Sequence, residues 1–282
     1  MEGEVGTWSF ERRVGRLTSG HLPIPHAIIR LPKTADALTP MKHGEILHRD
    51  IERFFALRQH GDDATFNRRL RALQDWQAAR LQHTHEYLLG HPKAEPGVRF
   101  LLEDIYGGRD LRPVALEIRR ALPKAMKLLP DRVMATSASA LEAAILTQSL
   151  DEGLVERLGA RLDAPLDEAD YIAAYLDQAR EHLDDRHQQL ALVGELGHHI
   201  DRYVRSRMIQ TTFRMVRRPA HAAGFASLYD FLNRAFRAMK TLDSVGEMLA
   251  LIATDEREIL QRILAGESQP FTPRPGSREE HR

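Results

Sequence analysis

An all-α fold, a multi-helix bundle of about eight to ten helices with no sheet, is what this sequence predicts. Three observations carry the expectation. Apolar residues recur at helical spacing along most of the chain. No segment shows sustained period-two alternation bounded by turn residues, so no strand is expected. No fixed-period repeat is visible, which argues against a solenoid.

The elements follow in order. Residues 1–40 are interrupted by Gly3, Gly6, Gly20, Pro23, Pro25, Pro32 and Pro40, and hold only short apolar pieces such as Ala27-Ile-Ile-Arg-Leu31. They read as an irregular N-terminal arm. Leu47, Ile51, Phe54 and Phe55 stripe one face of a first helix that ends in Arg58. Gly61-Asp62-Asp63 supplies a stop and an N-cap. Phe66, Leu70, Leu73, Gln77, Leu81, Thr84 and Leu88 stripe a second helix over about 63–89, closed by Gly90-His91-Pro92. A short helix near 97–106 should stop at Gly107-Gly108. Pro113 and Pro123 suit first helical turns, and Pro130 opens a stretch to about 148. Ser149-Leu-Asp-Glu152 and Ser244-Val-Gly-Glu247 have the form of capping boxes that start new helices. Tyr171 to Arg217 lacks proline and reads as two long helices, with a bend near Gly194 and Gly197. Pro219 and Gly224 mark a turn before a helix from about 225 to 240, and the last helix ends near Gly266. The organisation expected is thus an arm over 1–40, a single helical domain over 41–266 and a disordered tail over 267–282, where Pro270, Pro273 and Pro275 fall.

Composition narrows the class without naming a reaction. Of 282 residues, 43% are apolar and 28% charged, ordinary for a globular protein that buries a core. With no cysteine, disulfides, thiolate metal sites and cysteine nucleophiles are excluded. No apolar run approaches a membrane span of roughly 18 residues, and the N-terminus lacks the pattern of a secretory signal. The expectation is a cytoplasmic protein. Formal net charge is zero but unevenly placed. Residues 140–200 hold 13 acidic and 4 basic groups, a net of −9, and residues 201–240 hold 2 acidic and 9 basic, a net of +7. Helices carrying these blocks are expected to neutralise each other by packing.

Chemistry gathers in Phe100-Leu-Leu-Glu-Asp-Ile-Tyr-Gly-Gly-Arg-Asp110, entered through a helix carrying Trp76-Gln-Ala-Ala-Arg-Leu81. Glu103 and Tyr106 lie three apart on one helical face, with Asp104 on the neighbouring one. Arg80 or Arg109 offers a bidentate clamp for a carboxylate, and Asp110 adds an acid. The group reads either as a buried polar knot between helices or as a pocket for an anion or small metabolite. These residues resemble a family of uncharacterised proteobacterial proteins, a domain of unknown function with a Trp-Gln-x-x-Arg-Leu helix followed by Phe-Phe-Leu-x-Asp-Leu-Tyr-Gly. The likeness extends from about Phe66 to about Ile263 and includes Gln188-Gln-Leu-Ala-Leu-Val-Gly-Glu195, Met215-Val-Arg-Arg-Pro-Ala220 and Gly224-Phe-Ala-Ser-Leu-Tyr-Asp-Phe-Leu232. It departs at Leu101, which reduces the aromatic pair, at Gly108-Arg109 and at His198-His199. The resemblance implies an all-helical cytoplasmic bacterial protein and no reaction.

Glu195-Leu-Gly-His198 has the Glu-x-x-His spacing that helical di-iron proteins use twice, but only one copy is present. Glu195, His198 and His199 are therefore weak metal candidates. His48, Glu52, His85 and Glu142 would have to converge on them from other helices. No metal and no cofactor is expected. The arginines between 202 and 218 suggest a nucleic-acid helix, yet Val204, Met208, Thr211, Phe213, Met215 and Val216 among them read as core. Nucleic acid and membrane are disfavoured as partners. The reading is a helical protein, leaning away from an enzyme, that acts through a protein partner or its own oligomer. A helical small-ligand or metal-binding enzyme centred on Glu103–Asp110, and a nucleic-acid-binding regulator using the 202–218 arginines, are the alternatives.

Overall fold

The computed structural model describes residues 42–106 and 110–272, and every regular element among them is helical. In chain order these are α1 (His43–Phe55), α2 (Ala64–Thr84), α3 (Glu86–Leu89), α4 (Glu95–Phe100), α5 (Arg112–Leu128), α6 (Asp131–Leu158), α7 (Glu168–Glu181), α8 (Leu183–Arg205), α9 (Arg207–Met215), α10 (Arg217–Ala222), α11 (Ala226–Met239) and α12 (Val245–Leu264). A π-helical turn, Leu101–Tyr106, continues α4. The expected N-terminal arm, and Gly107, Gly108 and Arg109, lie outside the described residues, as does the tail from Pro273.

Local chemistry accounts for many of the boundaries. Asp63 accepts the Phe66 N–H at 2.9 Å and starts α2. Ser244 Oγ accepts the Glu247 N–H at 3.1 Å and starts α12. That helix ends where Gly266, at φ 77°, turns the chain and the Glu267 N–H returns to the Arg262 carbonyl at 3.0 Å. Three apolar cores result. One joins α2, α6, α7 and α12, a second joins α3, α4, α8, α11 and α12, and a third joins α1, α5 and α6.

Among the described residues there are twelve α-helices rather than eight to ten, because tertiary contacts cut the chain where no glycine or proline does. The expected helix over 63–89 divides at His85, whose ring is drawn into the interior. The stretch 171–217 divides at His182 and again at Ser206, whose hydroxyl caps Ile209 at 3.4 Å. Gly194 and Gly197 do not break the helix, because α8 runs through both. Gly197 instead lets two helices touch: a Cβ there would lie 2.9 Å from Gly246 Cα and 3.0 Å from the Val245 oxygen. Ser149 starts no helix, since α6 continues past it to Leu158. Its supposed box partner Glu152 accepts the backbone N–H groups of Arg58 (3.1 Å) and Gln59 (2.8 Å), so it caps a different segment. Pro123 lies inside α5, which buries Ala115 and Leu122 ahead of it. Pro270 and Phe271, placed by the sequence reading in a tail beginning at 267, are buried, with the Phe271 ring 6.1 Å from both Trp76 and Tyr171. A lone aromatic among prolines gave no periodicity to reveal that contact.

Candidate functional site

Five long helices converge on a cavity of about 80 Å³. Each brings polar groups on the face that otherwise carries its apolar stripe. Gln77 and Arg80 come from α2, Thr147 and Asp151 from α6, Tyr171 and Tyr175 from α7, Arg186 and Gln189 from α8, and Glu256 from α12. Tyr106, at the end of the π turn, adds its ring, and Leu101 and Leu102 of the same turn complete that side. A π turn re-aims side chains relative to a regular helix, and such turns occur often at functional sites.

One wall is a charge network with its partners in place. Arg80 Nη1 donates to both carboxylate oxygens of Glu256, at 2.5 and 2.6 Å. His85, 3% exposed, holds Nε2 3.0 Å from Glu256 Oε1 and Nδ1 3.4 Å from Asp255 Oδ2. The Tyr87 hydroxyl donates to Asp255 at 2.8 Å. Burial alone would raise the Glu256 carboxyl, but Arg80 and His85 outweigh it and hold it down at about 2. Burial alone would lower His85, and its bonds to Asp255 and Glu256 reverse that and raise it. Arg80 is likewise raised by Glu256 against its own burial.

The opposite wall is different. Arg186 is 5% exposed, donates Nη1 to Gln189 Oε1 (3.3 Å) and Nη2 to Gln178 Oε1, and stacks on Tyr175 with its guanidinium carbon 4.3 Å from the ring centre. Asp151 is 4% exposed and accepts from Gln77 Nε2 at 3.1 Å. Burial pushes its carboxyl up to about 6, with Gln77 and Arg186 working against that rise. Burial also lifts the Tyr106 hydroxyl to about 12.

A family model described as "Domain of unknown function (DUF8198)" matches residues 56–270, about three quarters of the chain. The chain belongs to that family. No curated protein and no solved structure matches it. The DUF8198 region runs from just after α1 to Pro270 and so contains every residue of the cavity.

Within the DUF8198 region, the residues expected to act together separate. Arg80 and Tyr106 do line the cavity, along with Gln77 of the same motif. Asp104 is buried and turned to Arg234 of α11, whose Nε donates to it at 2.8 Å. Glu103 is exposed, with Arg99 at 3.8 Å. Asp110 accepts the Arg112 N–H at 2.9 Å at the start of α5. Arg109 is not among the described residues. Glu195 and His198 are exposed on α8, and His199 is half-buried beside them. Asp201, which follows them, accepts from Val245 and Gly246 N–H (2.8 and 2.9 Å) and caps α12. Among the described residues, no group of three or more His, Asp and Glu has the spacing to hold a metal ion.

Sequence reasoning missed Asp151, Arg186 and Glu256, although a signal was present. Arg186 shares a face with Leu190 and Val193, and Glu256 shares one with Leu249, Ala253, Leu260 and Ile263. A charge within an apolar stripe is buried unless the helix turns away, and a buried charge demands partners.

The second unusual region of the DUF8198 chain is its outer α9–α10 corner. Arg202, Arg207, Arg214, Arg217 and Arg218 are exposed, and none has an ion-pair partner among the described residues. Met208 and Met215 are 74% and 73% exposed, and Val216 is 40% exposed. The core reading therefore holds for Val204, 6% exposed, and for Phe213, which stacks on Tyr229 (4.6 Å) and Phe236 (5.2 Å), but fails for Met208, Thr211, Met215 and Val216. One-sided docking of α9 explains the failure, because only the Phe213 side meets α11. The expected neutralisation fails too. Among the described residues no ion pair joins an acid of 140–200 to a base of 201–240, and Arg157, Arg161 and Asp201 find partners within their own block.

Proposed function

We propose that the protein acts by association: the α9–α10 face docks an acidic protein surface, and a second copy of the chain supplies one. The observation that carries this reading is the pair of methionines, each about three quarters exposed, set among arginines that bond no carboxylate. Flexible, polarisable methionines on a surface suit contact with another protein, and arginine is enriched at interface hot spots. The complementary charge lies on α7 and the start of α8, where Glu168, Asp177, Glu181 and Asp184 are exposed. Arg157 reaches two of these, Asp177 and Glu181. Joining different faces of two copies gives a head-to-tail contact, which closes into a ring or extends.

Nucleic acid competes for the same arginines. Protein is the better fit because no Phe, Tyr or Trp is exposed between 202 and 224 to stack on bases and the exposed His221 ring is held by Asp230 at 3.1 Å, whereas the methionines gain by apolar burial. Sedimentation velocity across protein concentration, at low and high salt, tests the reading. The expected result is a mass that rises with concentration, falls with added salt, and returns to monomer in Met208→Glu/Met215→Glu. A monomer under all these conditions overturns it, and so does salt-sensitive binding of DNA or RNA without self-association.

A further inference from the structure

The central cavity holds two buried charges in a way that packing alone does not require. Arg186 and Asp151, at 5% and 4% exposure, face the same 80 Å³ space. Neither has an ion-pair partner among the described residues: side-chain amides of Gln178 and Gln189 hold the first, and those of Gln77 and Gln74 hold the second. They do not pair with each other either, although opposite charges removed from water gain most by meeting. They come from different helices of the same wall, α8 and α6, and the Arg186 charge acts on Asp151 without an ion pair forming. Unmet hydrogen-bonding atoms accompany each of them. Arg186 Nε and Arg80 Nε are buried donors without an acceptor, and Gln77 Oε1 is a buried acceptor without a donor. Leaving such atoms unmet is costly, on the order of 1–3 kcal/mol each, and a polar ligand that fits between them removes that cost.

We propose that this cavity binds a compact zwitterion, an α-amino acid of the size of glycine or alanine. The ligand carboxylate spans the cavity between Arg186 on one wall and the Nε of Arg80 on the other, each a charged donor to it. The ligand ammonium lies against Asp151 and Gln77 Oε1, which accept its protons. A zwitterion satisfies both buried charges at once. A simple anion would face Asp151, and a simple cation would face Arg186, so each would leave one buried charge unmet. Size sets the other limit. A space of about 80 Å³ is well under the roughly 300 Å³ at which pockets for larger ligands begin, too little for a long side chain. The Arg80–Glu256 pair needs no ligand and serves to fix the Arg80 guanidinium at the edge of the space. This site is independent of the α9–α10 face, and either reading stands if the other falls.

Titration calorimetry on the full chain near neutral pH tests it, with glycine, alanine, leucine, acetate and methylammonium as separate ligands. Glycine or alanine should bind with one site per chain, acetate and methylammonium at least tenfold more weakly, and leucine not at all. Asp151→Asn, a nearly isosteric change, should weaken glycine at least tenfold while leaving acetate binding unchanged or stronger. Arg186→Lys should weaken glycine and acetate together, because a lysine lacks the guanidinium fork. No heat from any of the ligands at millimolar concentration overturns the proposal. So does acetate binding as tightly as glycine, or glycine binding that Asp151→Asn leaves intact. Should Arg186→Lys fail to fold, the Asp151→Asn and acetate comparisons still decide the outcome.

Discussion

Arg80 and Arg214 are the same residue under opposite constraints. The first is enclosed among five helices, with both oxygens of Glu256 on one of its nitrogens. The second stands exposed on α9 beside Met215 and bonds to nothing within the described chain. A charge inside must be matched by its own fold, because an unmatched one costs several kcal/mol. A charge outside is hydrated already and leaves its pairing to a partner. The cavity is therefore where changes should be felt as stability, and the α9–α10 corner is where they should be felt as association.

The largest effect should come from Glu256→Ala. It strands Arg80 and His85 in the interior and should cost about 3–5 kcal/mol, read as a lower urea midpoint at an unchanged m-value. Combining it with Arg80→Met should recover much of the loss, since the stranded charge goes too. A change under about 1 kcal/mol would show that water reaches this wall and would break the contrast with the surface. The same pair sets an acid limit. Glu256 is held below its unfolded value of about 4.3, so its contribution is complete above that pH and fades as pH falls toward about 2. His85 works in the other direction: its raised value gives stability that is complete below about 6.5 and is lost as pH climbs through the raised value.

Gly197→Ala probes the frame rather than the charges. The new Cβ meets Gly246 Cα at 2.9 Å and the Val245 oxygen at 3.0 Å, both backbone, so α8 and α12 must separate. A loss of about 1–3 kcal/mol is expected. Because α8 carries Arg186 and α12 carries Glu256, the variant should also loosen the cavity, which amide hydrogen exchange along both helices would detect as faster opening.

The frame was more legible in the sequence than the charges it holds. Stripes such as Leu47-Ile51-Phe54 and Phe66-Leu70-Leu73 announce buried helix faces directly, and all six residues are buried. Asp63 and Ser244 announce helix starts, which their hydrogen bonds supply. The cavity was legible only through Arg80 and Tyr106, because its other charged members come from helices up to 176 residues away, the separation of Arg80 from Glu256. Sequence proximity joined Glu103, Asp104 and Tyr106, but successive residues of one turn point in different directions, and these three end on different sides of it. The helix contact at Gly197 was hidden for a related reason: it shows only when the partner glycine, Gly246, is brought beside it.

Asp151→Asn should move stability the other way from Glu256→Ala. Its carboxyl, pushed up to about 6 by burial, stays protonated in the folded state at pH values where the unfolded chain has already lost its proton. Stability is thus complete below about 3.9 and drains away as pH rises through about 6. An asparagine keeps the Gln77 contact without a charge. The variant should gain on the order of 1–2 kcal/mol at neutral pH and lose the slope between pH 4 and 6. An unchanged slope would mean that the acid is solvated and that the two walls of the cavity are alike.

The smallest stability effect belongs to the corner. Met208→Ser/Met215→Ser alters two side chains that are 74% and 73% exposed, and substitutions of that kind stay within about 0.5 kcal/mol. Phe213 keeps its stack on Tyr229 and Phe236 in this variant, so α9 remains attached. An unchanged melting temperature together with a lost concentration-dependent mass is the expected pair of results, and the pairing is what carries the weight. If the variant unfolds at lower temperature instead, the methionines are packed in solution and α9–α10 belongs to the core after all. If stability and mass are both unchanged, those methionines take no part in assembly, and the arginines alone must account for any salt-sensitive contact, which Arg214→Ser/Arg217→Ser would then expose.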